Sequence, residues 1–138
     1  MEIGVIGKPN VGKSTFFAAL TLVDVPIAPY PFTTLDPNRG VATVRAPCPH
    51  RAENPCTPGN SRCVDGVRWV PVNLVDVPGL VPGAHEGRGL GHKFLDDLRA
   101  ADGLIQVVDL SGSAADDGTL AGVGSTDPAR EVEWLAEE

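Results

Sequence analysis

Residues 7–14 read Gly7-Lys8-Pro9-Asn10-Val11-Gly12-Lys13-Ser14 and fit the spacing G-x-x-x-x-G-K-[ST] at every fixed position. No other run constrains the chain as much. The glycines let the backbone wrap closely where side chains would collide. The N–H groups of such a loop point inward at the α- and β-phosphates of a nucleotide. A helix starting near Lys13 would add its positive dipole end to the same phosphates. Lys13 then reaches the β- and γ-phosphates, and the Ser14 hydroxyl ligates Mg²⁺. A chance match in a glycine-rich chain is set aside by context, because the run follows a strand pattern and opens a helix. The expected nucleotide-binding residues are Gly7, Lys8, Pro9, Asn10, Val11, Gly12, Lys13, Ser14 and Thr15.

The strand before the loop is Glu2-Ile3-Gly4-Val5-Ile6, short and β-branched as a buried parallel strand is. Residues 13–22 lack Gly and Pro and suit a helix. Four prolines make residues 24–39 a loop, and 40–45 alternate like a strand. Residues 46–66, rich in Pro, Cys, Gly, Asn and Ser, read as an irregular insertion. Strand character returns over 67–76 and again over 103–110, with a helix over 92–101 between them. Asp127-Pro128 opens a last helix, Asp as N-cap and Pro at the first helical position. This order predicts an α/β fold, a mostly parallel sheet flanked by helices. A chain of 138 residues corresponds to about one domain. Because it stops inside a helix after four strands, the expectation is a partial domain over 1–138, with the remainder and any further domains absent.

A second element is Asp76-Val77-Pro78-Gly79, at the end of the apolar strand Val72-Asn73-Leu74-Val75. On its own it is an ordinary turn. Coupled to the phosphate loop, Asp76 becomes the carboxylate that holds Mg²⁺, usually through water, and the Gly79 N–H senses the γ-phosphate. A third is Tyr30-Pro31-Phe32-Thr33-Thr34, where a hydroxyl would complete the Mg²⁺ shell when the γ-phosphate is bound. Thr34 is the first choice and Thr33 the alternative. The loop from Gly79 to Gly91 carries glycines enough to order and disorder cheaply, as a phosphate-sensing switch requires.

Together these pieces resemble the Obg-like GTPases. The match runs through Asn10-Val11-Gly12-Lys13-Ser14-Thr15-Phe16-Phe17, Tyr30 to Thr34 and Asp76 to Ala84. It continues in Gly87-Arg88-Gly89-Leu90-Gly91, Phe94-Leu95 and Val107-Val108-Asp109. The Cys-bearing insertion and Pro82-Gly83-Ala84-His85-Glu86-Gly87 look like the archaeal branch related to the YchF translation-associated proteins. The resemblance implies a Ras-like G domain, GTP hydrolysis with Mg²⁺, and association with the ribosome. Two features depart from the pattern. The guanine-reading Asn-Lys-x-Asp occurs nowhere in the 138 residues, so base preference rests on the resemblance, with ATP as the alternative. Gln106 stands where YchF-type proteins tend to carry histidine. A third reading is a fragment that binds nucleotide weakly without turnover.

In Ras-type enzymes a glutamine directly after Asp-x-x-Gly orients the attacking water. Here that residue is Leu80. The water must be placed otherwise: by backbone, by His85 or Glu86, or by a partner, with Arg88 the one candidate for an arginine finger. The expected catalytic set is Lys13, Thr34, Gly79 and His85. Asn10 offers a further device, because in some related GTPases the asparagine at this position coordinates K⁺ against the phosphates, where a cation offsets developing charge.

Cys48, His50, Cys56 and Cys63 could form a Cys₃His zinc set. The spacing lacks a Cys-x-x-Cys pair, which favours free cysteines in an ordered loop, so Zn²⁺ is not expected. An odd cysteine count and the absence of a basic leader point to a reducing, cytoplasmic setting. A net charge of −7 argues against a broad nucleic-acid-binding face. No apolar run approaches the ~20 residues needed to span a bilayer, so no membrane partner is expected.

Overall fold

The computed structural model describes residues 1–23, 37–50, 56–82 and 98–137. Thr33, Thr34, His85, Glu86, Arg88 and most of the helix expected over 92–101 lie outside those residues. The elements are β1 (Glu2–Ile6), α1 (Lys13–Thr21), β2 (Asn38–Pro47), β3 (Arg62–Val64), β4 (Val67–Asp76), β5 (Gly103–Gln106) and α2 (Pro128–Glu137). They form one sheet of order β2-β4-β1-β5, with β3 also paired to β4. β1 runs parallel to both β4 and β5, which is the expected parallel core. β2 and β3 are antiparallel to β4, so the sheet as a whole is mixed.

β4 is the spine. Successive side chains of a strand point to opposite faces, and here both faces are covered. Val72 and Leu74 join Phe17 of α1 and Ala42 of β2 on one side. Val75 and Val77 join Ile6, Leu80 and Leu135 of α2 on the other, with Leu98 and Trp134 packed against them. A strand covered on both faces needs a near-continuous apolar run, and Val72 to Val77 provides it apart from Asn73 and Asp76. Among the described residues no helix is long and apolar enough to cross a membrane.

Two expectations change. The insertion over 46–66 is not irregular throughout: Ala46 and Pro47 extend β2, and Arg62–Val64 form β3. The link from β3 to β4 is Asp65-Gly66, both at positive φ, 49° and 77°. This is the backbone that a two-residue hairpin turn demands and that Asp-Gly supplies. The strand expected over 103–110 ends at Gln106. Its continuation is stopped by Asp109, whose carboxylate accepts the N–H groups of Ser111, Ser113 and Ala114 at 3.0, 2.7 and 2.9 Å, curling the chain away from the sheet.

Candidate nucleotide site

The parallel register brings the ends of β1 and β4 together, with Val5 opposite Asp76. The phosphate loop leaves β1 there. Asn10 and Gly12 take positive φ, 64° and 98°, and α1 starts at Lys13 with no side chain capping it. The first-turn N–H groups of a helix have no partner within its own ladder, so an uncapped start turned towards a loop of amides suits an anion. Opposite lies Asp76. Its Oδ2 accepts the Ser14 hydroxyl at 2.7 Å and the Asn38 amide at 3.4 Å. Its Oδ1 is buried and has no partner among the described residues. Carboxylate oxygens are hard ligands, so a hydroxyl and an orphaned carboxylate oxygen at this point fit Mg²⁺.

Two charges at the site are held out of water. Lys13 is buried, and its ammonium donates to the Lys8 carbonyl at 2.8 Å. Burial lowers its pKa from 10.5 to about 8, against the opposing pull of Asp76 and Glu131. Burial also raises the Asp76 carboxyl above the usual range, against the bonds from Ser14 and Asn38 and the charge of Lys13. Both groups are pushed towards neutrality, and both would regain charge beside ions of opposite sign.

The Asp76-Val77-Pro78-Gly79 turn rests directly on the phosphate loop. Leu80 N donates to Gly7 O at 3.1 Å. A Cβ on Gly79 would lie 2.6 Å from Pro9, so only glycine lets the turn approach so closely. The Leu80 side chain is in the core, not in the site. Residues 109–126 cover the loop from the other side. The Asn10 amide donates to Gly118 O at 2.7 Å, and Gly118 packs on Pro9.

Lys8 points its side chain away from the loop it belongs to. Its side chain turns to α2, where Nζ lies 2.9 Å from Glu131 Oε2, both side chains 1% exposed. It also donates to Ala114 O at 2.6 Å and to Thr126 at 3.4 Å. Only its backbone remains to face phosphate. Glu131 also tethers the neighbouring strand, since Gln106 donates to its backbone carbonyl at 3.4 Å. Sequence patterns did not mark Glu131, Asn38 or Gly118. Asp109 carried a signal in the Asp109-Leu110-Ser111-Gly112-Ser113 run, which has the character of an Asx turn. Its bonds, the Ser111 hydroxyl foremost, hold its carboxyl far below the usual carboxylate range.

Away from this site, the four soft ligands converge. The ligand atoms of Cys48, His50, Cys56 and Cys63 lie within 4.8 Å of one another. A hydrogen bond with His50 lowers the Cys48 thiol to about 6, while desolvation and the other two cysteines raise Cys63 to about 11.

A phosphate loop between the first strand and first helix, facing a carboxylate at the end of the parallel neighbour, defines a P-loop G domain. The chain belongs to the family described as 50S ribosome-binding GTPase, whose model matches residues 2–134. It is 53% identical over 137 residues to an uncharacterized GTP-binding protein of Methanocaldococcus jannaschii, covering 99% of this chain and 34% of that one. It is 45% identical over 139 residues to an uncharacterized GTP-binding protein of Schizosaccharomyces pombe, covering 99% and 34%. To the Obg-like ATPase 1 of Rattus norvegicus it is 40% identical over 141 residues, covering 100% and 33%. Among solved structures, a GTP binding protein from Pyrococcus horikoshii OT3 superposes with a TM-score of 0.67 at 36% identity, covering 99% of this chain and 31% of that one. The NFeoB of S. thermophilus bound to GDP·AlF₄⁻ and K⁺ shares the fold alone, with a TM-score of 0.51 at 22% identity over 78% of this chain and 33% of that one. The chain spans about a third of the length of these relatives.

The Lys8–Glu131 pair makes a testable claim. Lys8→Met leaves a buried carboxylate unpaired and is expected to cost about 3–5 kcal/mol in urea denaturation, as removal of one partner of a buried pair does. Adding Glu131→Leu should restore most of that loss. Equal, additive losses from the two substitutions would show that the pair does not act as a unit.

Proposed function

We propose that this chain is the phosphate-binding part of a switch that binds GTP with Mg²⁺, hydrolyses it to GDP and phosphate, and associates with the ribosome. The observation that carries the reading is the junction of Ser14 with Asp76, 2.7 Å apart, beside a buried Asp76 oxygen without a partner among the described residues. Ser14 and Asp76 would hold the ion, with Thr34 completing its shell in the triphosphate state. Mg²⁺ held there by Ser14 and Asp76 would supply positive charge against the triphosphate. Lys13 would exchange the Lys8 carbonyl for the same phosphates, and their negative charge would restore its full ammonium form. The loop amides and the start of α1 would bind and orient the phosphates. The Gly79 N–H would read whether the γ-phosphate is present.

Placement of the water falls to other groups, because Leu80 packs with Ile6, Val75, Val77 and Leu135. His85 remains the proposed side chain. Asn10 supports a second element, a K⁺ ion against the phosphates. Its Nδ2 is committed to Gly118 O, so Oδ1 is the atom it can offer to a cation. The NFeoB structure with K⁺ motivates the idea by likeness of fold only. Turnover is expected to be faster in K⁺ than in Na⁺, and equal rates in the two buffers would remove Asn10 from catalysis.

Guanine is the preferred base in this reading, since the two relatives at 53% and 45% identity are both named for GTP binding. The rat relative, at 40%, is named an ATPase, which favours adenine as the second reading. Calorimetric titration with Mg²⁺-GTP and Mg²⁺-ATP decides. Binding of GTP alone supports the switch. Binding of ATP alone transfers the reading to an ATPase. Binding of neither leaves a fragment without nucleotide function. Asp76→Asn and Ser14→Ala are each expected to weaken Mg²⁺-dependent binding by about 10- to 100-fold, in line with loss of a charge-assisted contact, and unchanged affinity would place the ion elsewhere.

The ribosome enters through the family's description. With a net charge of −7, the contact would not be a broad basic face on RNA. Co-sedimentation with large ribosomal subunits should be greater with a non-hydrolysable GTP analogue than with GDP. Absence of the protein from the subunit fraction in both states would contradict the association.

A further inference from the structure

The end of the sheet farthest from the phosphate loop has little to hold it. Among described residues 43–50 and 56–71 none is buried, and neither apolar cluster includes any of them. Yet β2, β4 and β3 continue there as a three-stranded ribbon, with Arg68 of β4 opposite Ala46 on one side and Cys63 on the other. Trp69 lies under two guanidinium groups, Arg45 at 5.3 Å and Arg62 at 6.0 Å from its ring centre. A ribbon without a buried apolar face is marginal by itself.

The three cysteines and one histidine of the chain's insertion meet on this ribbon. Cys48 follows β2 directly and is pinned by its N–H to Gly66 O at 2.8 Å. Cys63 is the middle residue of β3. Cys48 Sγ lies 3.3 Å from Cys56 Sγ, and Cys63 Sγ lies 3.8 Å from His50 Nδ1. Tetrahedral zinc, with bonds of about 2.3 Å to sulfur and about 2.0–2.1 Å to nitrogen, sets its ligand atoms about 3.4–3.8 Å apart. The cluster, all within 4.8 Å, closes on such an ion with small side-chain movements. We propose that Cys48, His50, Cys56 and Cys63 hold a structural Zn²⁺ that fastens the end of β2 to β3.

Four protein ligands close the coordination shell, which marks a structural site and leaves no position for a substrate. Three thiolates and a neutral imidazole around Zn²⁺ carry a net charge of −1. Arg68 offsets it, donating through Nη2 to Cys56 Sγ at 3.6 Å, the outer contact that orients a metal ligand. Arg45 and Arg62 add positive charge on the same ribbon. Metal binding here would supply folding energy that apolar burial does not.

The test is the metal content of the protein purified without a polyhistidine tag from zinc-supplemented medium. About one Zn²⁺ per chain is expected, as a single four-ligand site requires. Its removal by a strong chelator should expose three thiols to Ellman's reagent. Cobalt reconstitution should give the intense visible bands and thiolate charge-transfer absorption of a tetrahedral site, a readout that needs no variant. Cys56→Ser and Cys63→Ser should lose the ion, while Asp76→Asn keeps it, because the phosphate site plays no part. Substoichiometric zinc after reconstitution would overturn the proposal. So would a Cys48–Cys56 disulfide in its place, seen as a single reactive thiol in unreduced protein.

Discussion

The parallel pairing of β1 with β4 sets Val5 beside Asp76 and so decides where everything else in the site stands. In a parallel sheet the carboxyl ends of neighbouring strands lie along one edge, and ligands gather there. One strand end delivers the phosphate loop and the other the carboxylate. A slip of one residue would turn Asp76 to the opposite face and bring Val75 or Val77 into its place. The register is guarded by burial, since Val75 and Val77 occupy one apolar cluster and Val72 and Leu74 the other. Packing on two faces therefore enforces a polar geometry at one edge.

Among the described residues, four ionisable side chains are buried around that edge: Lys8, Lys13, Asp76 and Glu131. They divide into two kinds. Lys8 and Glu131 pair as ions 2.9 Å apart inside the fold, which makes their contact architectural. Lys13 and Asp76 are both driven towards neutrality by burial, Lys13 leaning on a backbone carbonyl and Asp76 keeping one oxygen without a partner among the described residues. Buried polar groups are nearly always hydrogen-bonded, and the Asp76 oxygen, beside Ser14 at the mouth of the phosphate loop, is placed to meet charge that arrives from outside.

Much of this was legible from the residues alone. β1 and β4 are rich in Val and Ile or Leu and lead into Gly- or Pro-bearing turns, so their limits could be read off. The phosphate loop and Asp76 were legible because their chemistry depends on residue type and spacing. β3 was hidden because three residues carry no periodicity, although Asp65-Gly66 announced the turn after it. The partner of Lys8 was not legible: nothing local at Glu131 points to a lysine on the far side of the fold. Cys48, His50, Cys56 and Cys63 were visible as a candidate set but discounted on spacing, because their convergence arises from the pairing of β2 and β3 with a common strand and not from a short ligand spacing.

The tie between Lys8 and Glu131 also bears on the order in which the molecule can be made. Lys8 is translated directly after β1, and Glu131 follows only after the other described strands of the sheet. Until α2 docks, the lysine has no buried carboxylate to meet, and the loop it anchors lacks its fixed backing. The phosphate cradle is thus translated well before the helix that sets it. A nascent chain would pass through a state with a formed sheet edge and a loose loop, so competence to bind phosphate would arrive in a single late step.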